Sequence, residues 1–322
     1  MNLRGVIEGF YGEPWSHEER LDLLAFCGRH GLNTWVHAPK DDPYHRKRWR
    51  DPYPDEELER FAELARDAAR HGVELVWAIA PGLSLREDDA SELEALDAKR
   101  DQLRGAGVET FQLLWDDIER DALKPERQAE IANEFSRGEP LVVCPMGYAG
   151  NERTPYRDAF AAQLDAQIVV YWTGPEVVPE TITRDDLEAA ADAFHGHELL
   201  LWDNYPVNDF DVERLFLAPL RGREPSLADG VAGIVANGML QAVPSKLALA
   251  TVADYARDPA CYDPVTSFEQ AVAQHGAEVV EALRPATARA DVPRPRDIPA
   301  LVDALAPGVD AATAVALLEP FV

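Results

Sequence analysis

The stretch ETFQLLWDD, residues 109 to 117, ends a short apolar run on two adjacent carboxylates. Nearly unbroken apolar character over so few residues fits a strand buried on both faces, as in a parallel sheet. Similar runs recur on either side. GVIEGF (5–10), NTWVHA (33–38) and ELVWAIA (74–80) precede it, and PLVVC (140–144), AQIVVYW (166–172), ELLLW (198–202) and GIVAN (233–237) follow. Each is separated from the next by enough chain for a helix or crossover, which parallel pairing requires. Eight strands with intervening helices over roughly residues 3 to 255 predict an α/β fold, a (β/α)8 TIM barrel.

Helix starts are marked by Ser16 with Glu19 and by Ser91 with Glu94, each spaced for a capping box in which hydroxyl and carboxylate satisfy orphan amides reciprocally. The fifth crossover, after Cys144, carries Pro145, Gly147, Gly150 and Pro155 and predicts a long loop with one short helix. From about Asp263 the β-type runs stop. SFEQAVAQHGAEVVEALR, IPALVDALA and AATAVALLEPF read as helices separated by the proline-rich stretch Pro285 to Pro299. The expected organisation is therefore a catalytic barrel over residues 1–258 and a small helical C-terminal appendage over 259–322.

The 58 acidic against 31 basic residues give a formal charge of −27, so the summed field repels phosphate backbones and anionic membranes. Neither nucleic acid nor membrane is expected as a partner. Cys27, Cys144 and Cys261 are scattered, without disulfide or zinc spacing. The N-terminal apolar run is too short for a signal sequence, and no stretch approaches the length of a membrane span. These features predict a cytoplasmic protein.

In such barrels the active site lies at the C-terminal ends of the strands. There the chain presents Gly9, Phe10, Tyr11 and Gly12; Lys40, Asp41 and Asp42; Asp116 and Asp117; Tyr148; Thr173; Asp203, Asn204 and Asp209; and Asn237. Carboxylates, amides, phenols and a lysine rimmed by Trp172 and Trp202 suit a neutral polyhydroxylated ligand, which needs paired donors and acceptors plus a flat apolar face. Retaining glycosidases of the ordinary type place two carboxyls about 5 Å apart across the sugar, and inverting ones about 6.5–9.5 Å. Neighbours on one strand end do not readily flank a sugar in this way. One of the pair can instead protonate the glycosidic oxygen while the other assists a nucleophile that belongs to the substrate.

Several ordered motifs carry a resemblance: RGVIEGFYG (4–12), NTWVHAPKDDPYHRKRWRDPYP (33–54), LLWDDIE (113–119), YWTGPEVV (171–178), LWDNYPVNDFDVERLFLAPL (201–220) and VANGM (235–239). Over about residues 4 to 256 the chain resembles glycoside hydrolase family eighty-four, the O-GlcNAcase and bacterial hyaluronidase-type β-N-acetylglucosaminidases. The resemblance implies retaining, substrate-assisted hydrolysis of terminal β-linked N-acetylglucosamine on glycans, glycoconjugates or glycoprotein, with no metal and no cofactor. Asp116 would orient and polarise the acetamido group as it closes to an oxazoline, and Asp117 would be the general acid and then the base. Tyr148 would bond the acetamido oxygen, and Asn204 would support the same end of the sugar. Gly9 through its backbone, Lys40, Asp209 and Asn237 would hold hydroxyls, while Thr173 and Trp202 would line the N-acetyl pocket.

Other readings stay open at this point. The same barrel could be a catalytically weak N-acetylglucosamine-binding protein, or Asp116, Asp117 and Glu119 could serve a divalent-metal hydrolase. Cys144 either approaches the pocket or packs behind it. His195 and His197 are expected at the opposite end of the barrel, away from the chemistry. The basic run HRKRWR, His45 to Arg50, is expected to pair with neighbouring acids, with binding of an anionic substrate as the alternative.

Overall fold

The computed structural model describes residues 1–119, 122–284 and 298–305, together with the single residues 289, 293, 309 and 313. Eight strands pair in parallel with their sequence neighbours, and the eighth closes onto the first to make a TIM barrel. They are β1 (Leu3–Glu8), β2 (Thr34–His37), β3 (Glu74–Ile79), β4 (Thr110–Leu114), β5 (Val142–Cys144), β6 (Val169–Trp172), β7 (Leu199–Asp203) and β8 (Val231–Asn237). All eight predicted runs are strands.

Strand side chains alternate between two apolar layers, as the period of two requires. Ile7, Val36, Val76, Leu114, Tyr171, Leu200 and Val235 fill the barrel interior. Val6, Trp35, Trp77, Leu113, Trp172 and Ile234 face outward and pack in the larger core beneath the helices. This alternation corrects one expectation at the mouth. Tyr171 points inward, so its neighbour Trp172 points outward, is fully buried, and donates its indole N–H to the Gly150 carbonyl at 3.0 Å. Of the two predicted rim tryptophans, only Trp202 faces the barrel interior.

The outer helices are α1 (His17–His30), α2 (Asp55–Arg70), α3 (Ser91–Gly105), α4 (Pro125–Ser136), α5 (Pro155–Gln163), α6 (Arg184–Ala193) and α7 (Ala242–Arg257). The Ser16–Glu19 capping box is formed in full. The Ser91–Glu94 box is not, because α3 begins at Ser91 itself after Ala90. Both the amide and the hydroxyl of Ser91 instead donate to Asp89 Oδ1, at 2.9 and 2.6 Å. A preceding aspartate thus captures the first turn. The fifth crossover is a long loop and one short helix, as expected. Between β7 and β8 no α-helix forms, and a loop with a single 3₁₀ turn (Pro225–Asp229) makes the connection.

Beyond the barrel, α8 (Pro264–Leu283) packs along α7, and α9 (Ile298–Ala304) packs on α8. The predicted helix over 311–321 lies outside the described residues apart from residue 313. No described helix is long and apolar enough to cross a membrane.

Candidate active site

A cavity of about 380 Å³ opens at the C-terminal ends of the strands, and all ten residues expected at the site line it. Its floor is polar and buried. Lys40, from the loop after β2, donates its ammonium to Asp116 Oδ2, and only 3% of Lys40 and 5% of Asp116 are exposed. The other Asp116 oxygen, Oδ1, is buried and has no hydrogen-bond partner among the described residues. A carboxylate oxygen out of water without a donor is costly, so this atom is set to receive an N–H or O–H from a ligand. No group of three His, Cys, Asp or Glu among the described residues is arranged to hold a metal ion.

Asp117 is arranged differently. Its backbone adopts a positive φ of 53°, a left-handed conformation that most L-residues avoid and that aspartate visits as a single residue. Its two carboxylate oxygens accept from two phenols, Tyr11 at 2.8 Å and Tyr148 at 2.9 Å. Burial pushes the Tyr11 hydroxyl up to about 12. Tyr148 is pushed higher by burial and by the Asp117 carboxylate. Both phenols therefore keep their protons through neutral pH and act as donors. Adjacent aspartates thus receive opposite treatment, one held by a cation and the other by two neutral, partly accessible hydroxyls.

The opposite wall is a chain of amides. Gly9 N–H donates to Asn237 Oδ1 at 3.1 Å, and Asn237 Nδ2 donates to Asn204 Oδ1 at 3.1 Å. Trp202 Nε1 meets the same oxygen at 2.9 Å. Gly9's amide is therefore taken within the protein, and the backbone there runs close to Trp202. A Cβ there would stand 2.6 Å from the Trp202 ring. Trp202 lies edge-on to Tyr171, with the Lys40 ammonium 5.4 Å from its centroid, so the indole is clamped between strand-end residues. Thr173 lines the cavity while its hydroxyl donates to the Glu176 carbonyl at 2.9 Å. Asp209 accepts from the Tyr11 amide at 2.9 Å, and burial raises its carboxyl above the usual range. Cys144 lines the floor, and burial raises its thiol well above its ordinary value, so it is neutral and packs there.

The site thus combines an anion-cation pair, a second carboxylate, two phenols and an amide wall around one small concavity, a surface that pairs with hydroxyls and an amide. A family model described as beta-N-acetylglucosaminidase matches residues 4–287. The chain belongs to this family. The rat protein O-GlcNAcase is 34% identical over 272 residues, covering 79% of this chain and 30% of the rat protein. A mutant O-GlcNAc hydrolase of Thermobaculum terrenum superposes with a TM-score of 0.82 at 34% identity, covering 88% of this chain and 65% of that one. The structure of CpGH84B matches with the same TM-score at 33% identity, over 99% of this chain and 60% of that one. The chain spans about a third of the length of its curated relative and somewhat under two thirds of the solved structures.

In this β-N-acetylglucosaminidase-family barrel, the remaining candidates take plain structural places. His195 bonds Asp158 at 2.9 Å, while His197 faces the backbone carbonyls of Ile168 and Ala161, so the two rings do not converge. Asp42 sits in a buried network with His37 and Tyr53 behind the site, and Asp203 pairs with Arg223 at 2.8 Å, away from the cavity. Of the basic run, Arg48 pairs with Asp51 and Arg50 with Glu92, as expected. Arg46 departs from that pattern. Its guanidinium reaches Tyr11 Oη at 2.6 Å and the Asp117 carbonyl at 3.0 Å. Sequence reasoning passed over Arg46, the Asp117 contact of Tyr11, and the apolar mouth formed by Val177, Val178 and Phe210. Nothing in local spacing marks contacts between loops from different strands.

Proposed function

We propose that the chain is a retaining β-N-acetylglucosaminidase of the O-GlcNAcase type, acting on terminal β-linked N-acetylglucosamine by substrate assistance. The observation that carries this reading is the unpartnered Asp116 Oδ1 beside the Lys40-held Oδ2. Such an oxygen accepts the acetamido N–H. It thereby orients the acetyl oxygen toward the anomeric carbon and stabilises the positive charge that builds on the forming oxazoline. Asp117 donates a proton to the departing oxygen, then takes one from the water that opens the oxazoline with net retention. On substrate binding the Tyr148 hydroxyl turns from Asp117 to the acetyl oxygen.

In this reading Asp209, Asn237 and the Gly9 backbone meet sugar hydroxyls, Asn204 supports the acetamido end, Trp202 and Thr173 bound the N-acetyl group, and Lys40 holds a hydroxyl and acts mainly through Asp116. Residues 1–258 carry the chemistry, and the helices beyond them brace α7. The substrate is a glycan or glycoprotein, and the protein works in the cytoplasm. Hydrolysis of an aryl β-N-acetylglucosaminide followed by NMR tests the reaction class. The first sugar released should be the β-anomer. Initial release of the α-anomer, or saturable binding without turnover, would sink the proposal.

A further inference from the structure

Arg46 belongs to none of the roles above, yet it is 4% exposed and its guanidinium points at the acid end of the site. One planar group sends one N–H to the Tyr11 hydroxyl and another to the backbone carbonyl of Asp117, with its carbon 5.3 Å from the Tyr11 ring centroid. Tyr11 comes from the end of β1, Arg46 from the loop after β2, and Asp117 from the end of β4. Three strand ends are thus joined through one side chain.

A tyrosine hydroxyl has a single proton and can turn about its C–O bond. With an Arg46 N–H directed at its oxygen, the Tyr11 proton is left to point at Asp117 Oδ2, where the 2.8 Å contact places it. The second Arg46 bond holds the peptide of Asp117 in its left-handed conformation. A forked guanidinium can make both bonds at once, and an ammonium cannot reproduce that geometry. We propose that Arg46 is a positioning residue for the general acid, fixing the Asp117 carboxyl through the Tyr11 hydroxyl and the Asp117 carbonyl. The inference rests on the hydrolase reading above and goes beyond it by assigning the acid's support to the basic loop.

A merely structural tether would lower the rate on every substrate alike. A positioning role shows itself in leaving-group dependence, because only a poor leaving group needs its proton delivered accurately. The experiment compares kcat and KM of wild type, Arg46→Met, Arg46→Lys, Tyr11→Phe and the Arg46→Met/Tyr11→Phe double variant. The substrates are two β-N-acetylglucosaminides, one with an activated aryl group and one with an alkyl group. Arg46→Met and Tyr11→Phe should each lose about tenfold or more in kcat on the alkyl substrate while holding the aryl rate and both KM values within about threefold. Arg46→Lys should recover part of that loss, and the double variant should fall close to Arg46→Met alone, since the two act in series.

Equal losses on both substrates, or an effect confined to KM, would overturn the assignment. If Arg46→Met fails to fold, Tyr11→Phe and Arg46→Lys carry the same comparison, and leaving-group-independent rates in both overturn it equally. A wild-type chain that hydrolyses neither substrate removes the hydrolase reading itself. An active wild type with uniformly slowed variants removes only the role of Arg46.

Discussion

Lys40 and Asp116 form a buried ion pair in which the ammonium holds one carboxylate oxygen and leaves the other, also buried, without a partner among the described residues. Both side chains are almost wholly out of water. Breaking such a pair strands a charge, whereas neutralising both partners removes the cost. Lys40→Met should therefore destabilise the fold by about 3–5 kcal/mol. Lys40→Met/Asp116→Asn should recover much of that in urea denaturation. A double variant no more stable than Lys40→Met alone would mean that the pair does not hold Asp116.

The two aspartates should separate kinetically. Asp117→Asn should lower kcat/KM on alkyl β-N-acetylglucosaminides by about 10²–10⁴ and leave activated aryl substrates nearly untouched, because proton delivery matters only to a poor leaving group. Asp116→Asn should slow both substrates by at least about a hundredfold, since a misdirected acetamido group fails whatever departs. Matching leaving-group profiles for the two variants would contradict the division of roles.

Stability should fall with acid in a window set by histidine. His30, at the end of α1, packs on Phe26 and meets His275 of α8 at 2.8 Å. Burial first, then the neighbouring His275, Arg29, Arg257 and Lys246, lower it to about 4 from 6.5. The neutral ring is favoured in the folded chain, so as pH drops below about 6.5 the unfolded chain takes up the proton first. The contribution of His30 to stability is complete above that pH and is lost progressively down to about 4. The urea midpoint should decline over this range, and His30→Asn should decline less steeply. An identical slope for both proteins would remove His30 from the explanation.

The barrel was legible because burial on both faces writes itself as apolar runs, and the site because each run stops on a polar residue where the barrel opens. Strand alternation could have placed Trp172 outside had Tyr171 been recognised as inward-facing. The Ser91 cap failed because two acceptors, Asp89 and the spaced Glu94, compete for the same first turn and local spacing does not decide between them. The β7–β8 loop and the reach of Arg46 to Tyr11 and Asp117 depend on loop paths set by packing between distant segments. The positive φ of Asp117 is likewise imposed by its surroundings, since aspartate has no strong preference for that conformation.

The central claim is that the substrate's acetamido oxygen, oriented by the bond from the acetamido N–H to Asp116, attacks the anomeric carbon. The most direct measurement is kcat/KM for one aryl β-glucosaminide carrying N-acetyl, N-fluoroacetyl, N-difluoroacetyl and N-trifluoroacetyl groups. Each fluorine weakens the carbonyl oxygen as a nucleophile. Intramolecular attack predicts a steep, monotonic fall of at least roughly a hundredfold across the series, as the effective molarity of the built-in nucleophile is lost. A rate indifferent to fluorination would contradict the claim and point to a nucleophile supplied by the protein or by water.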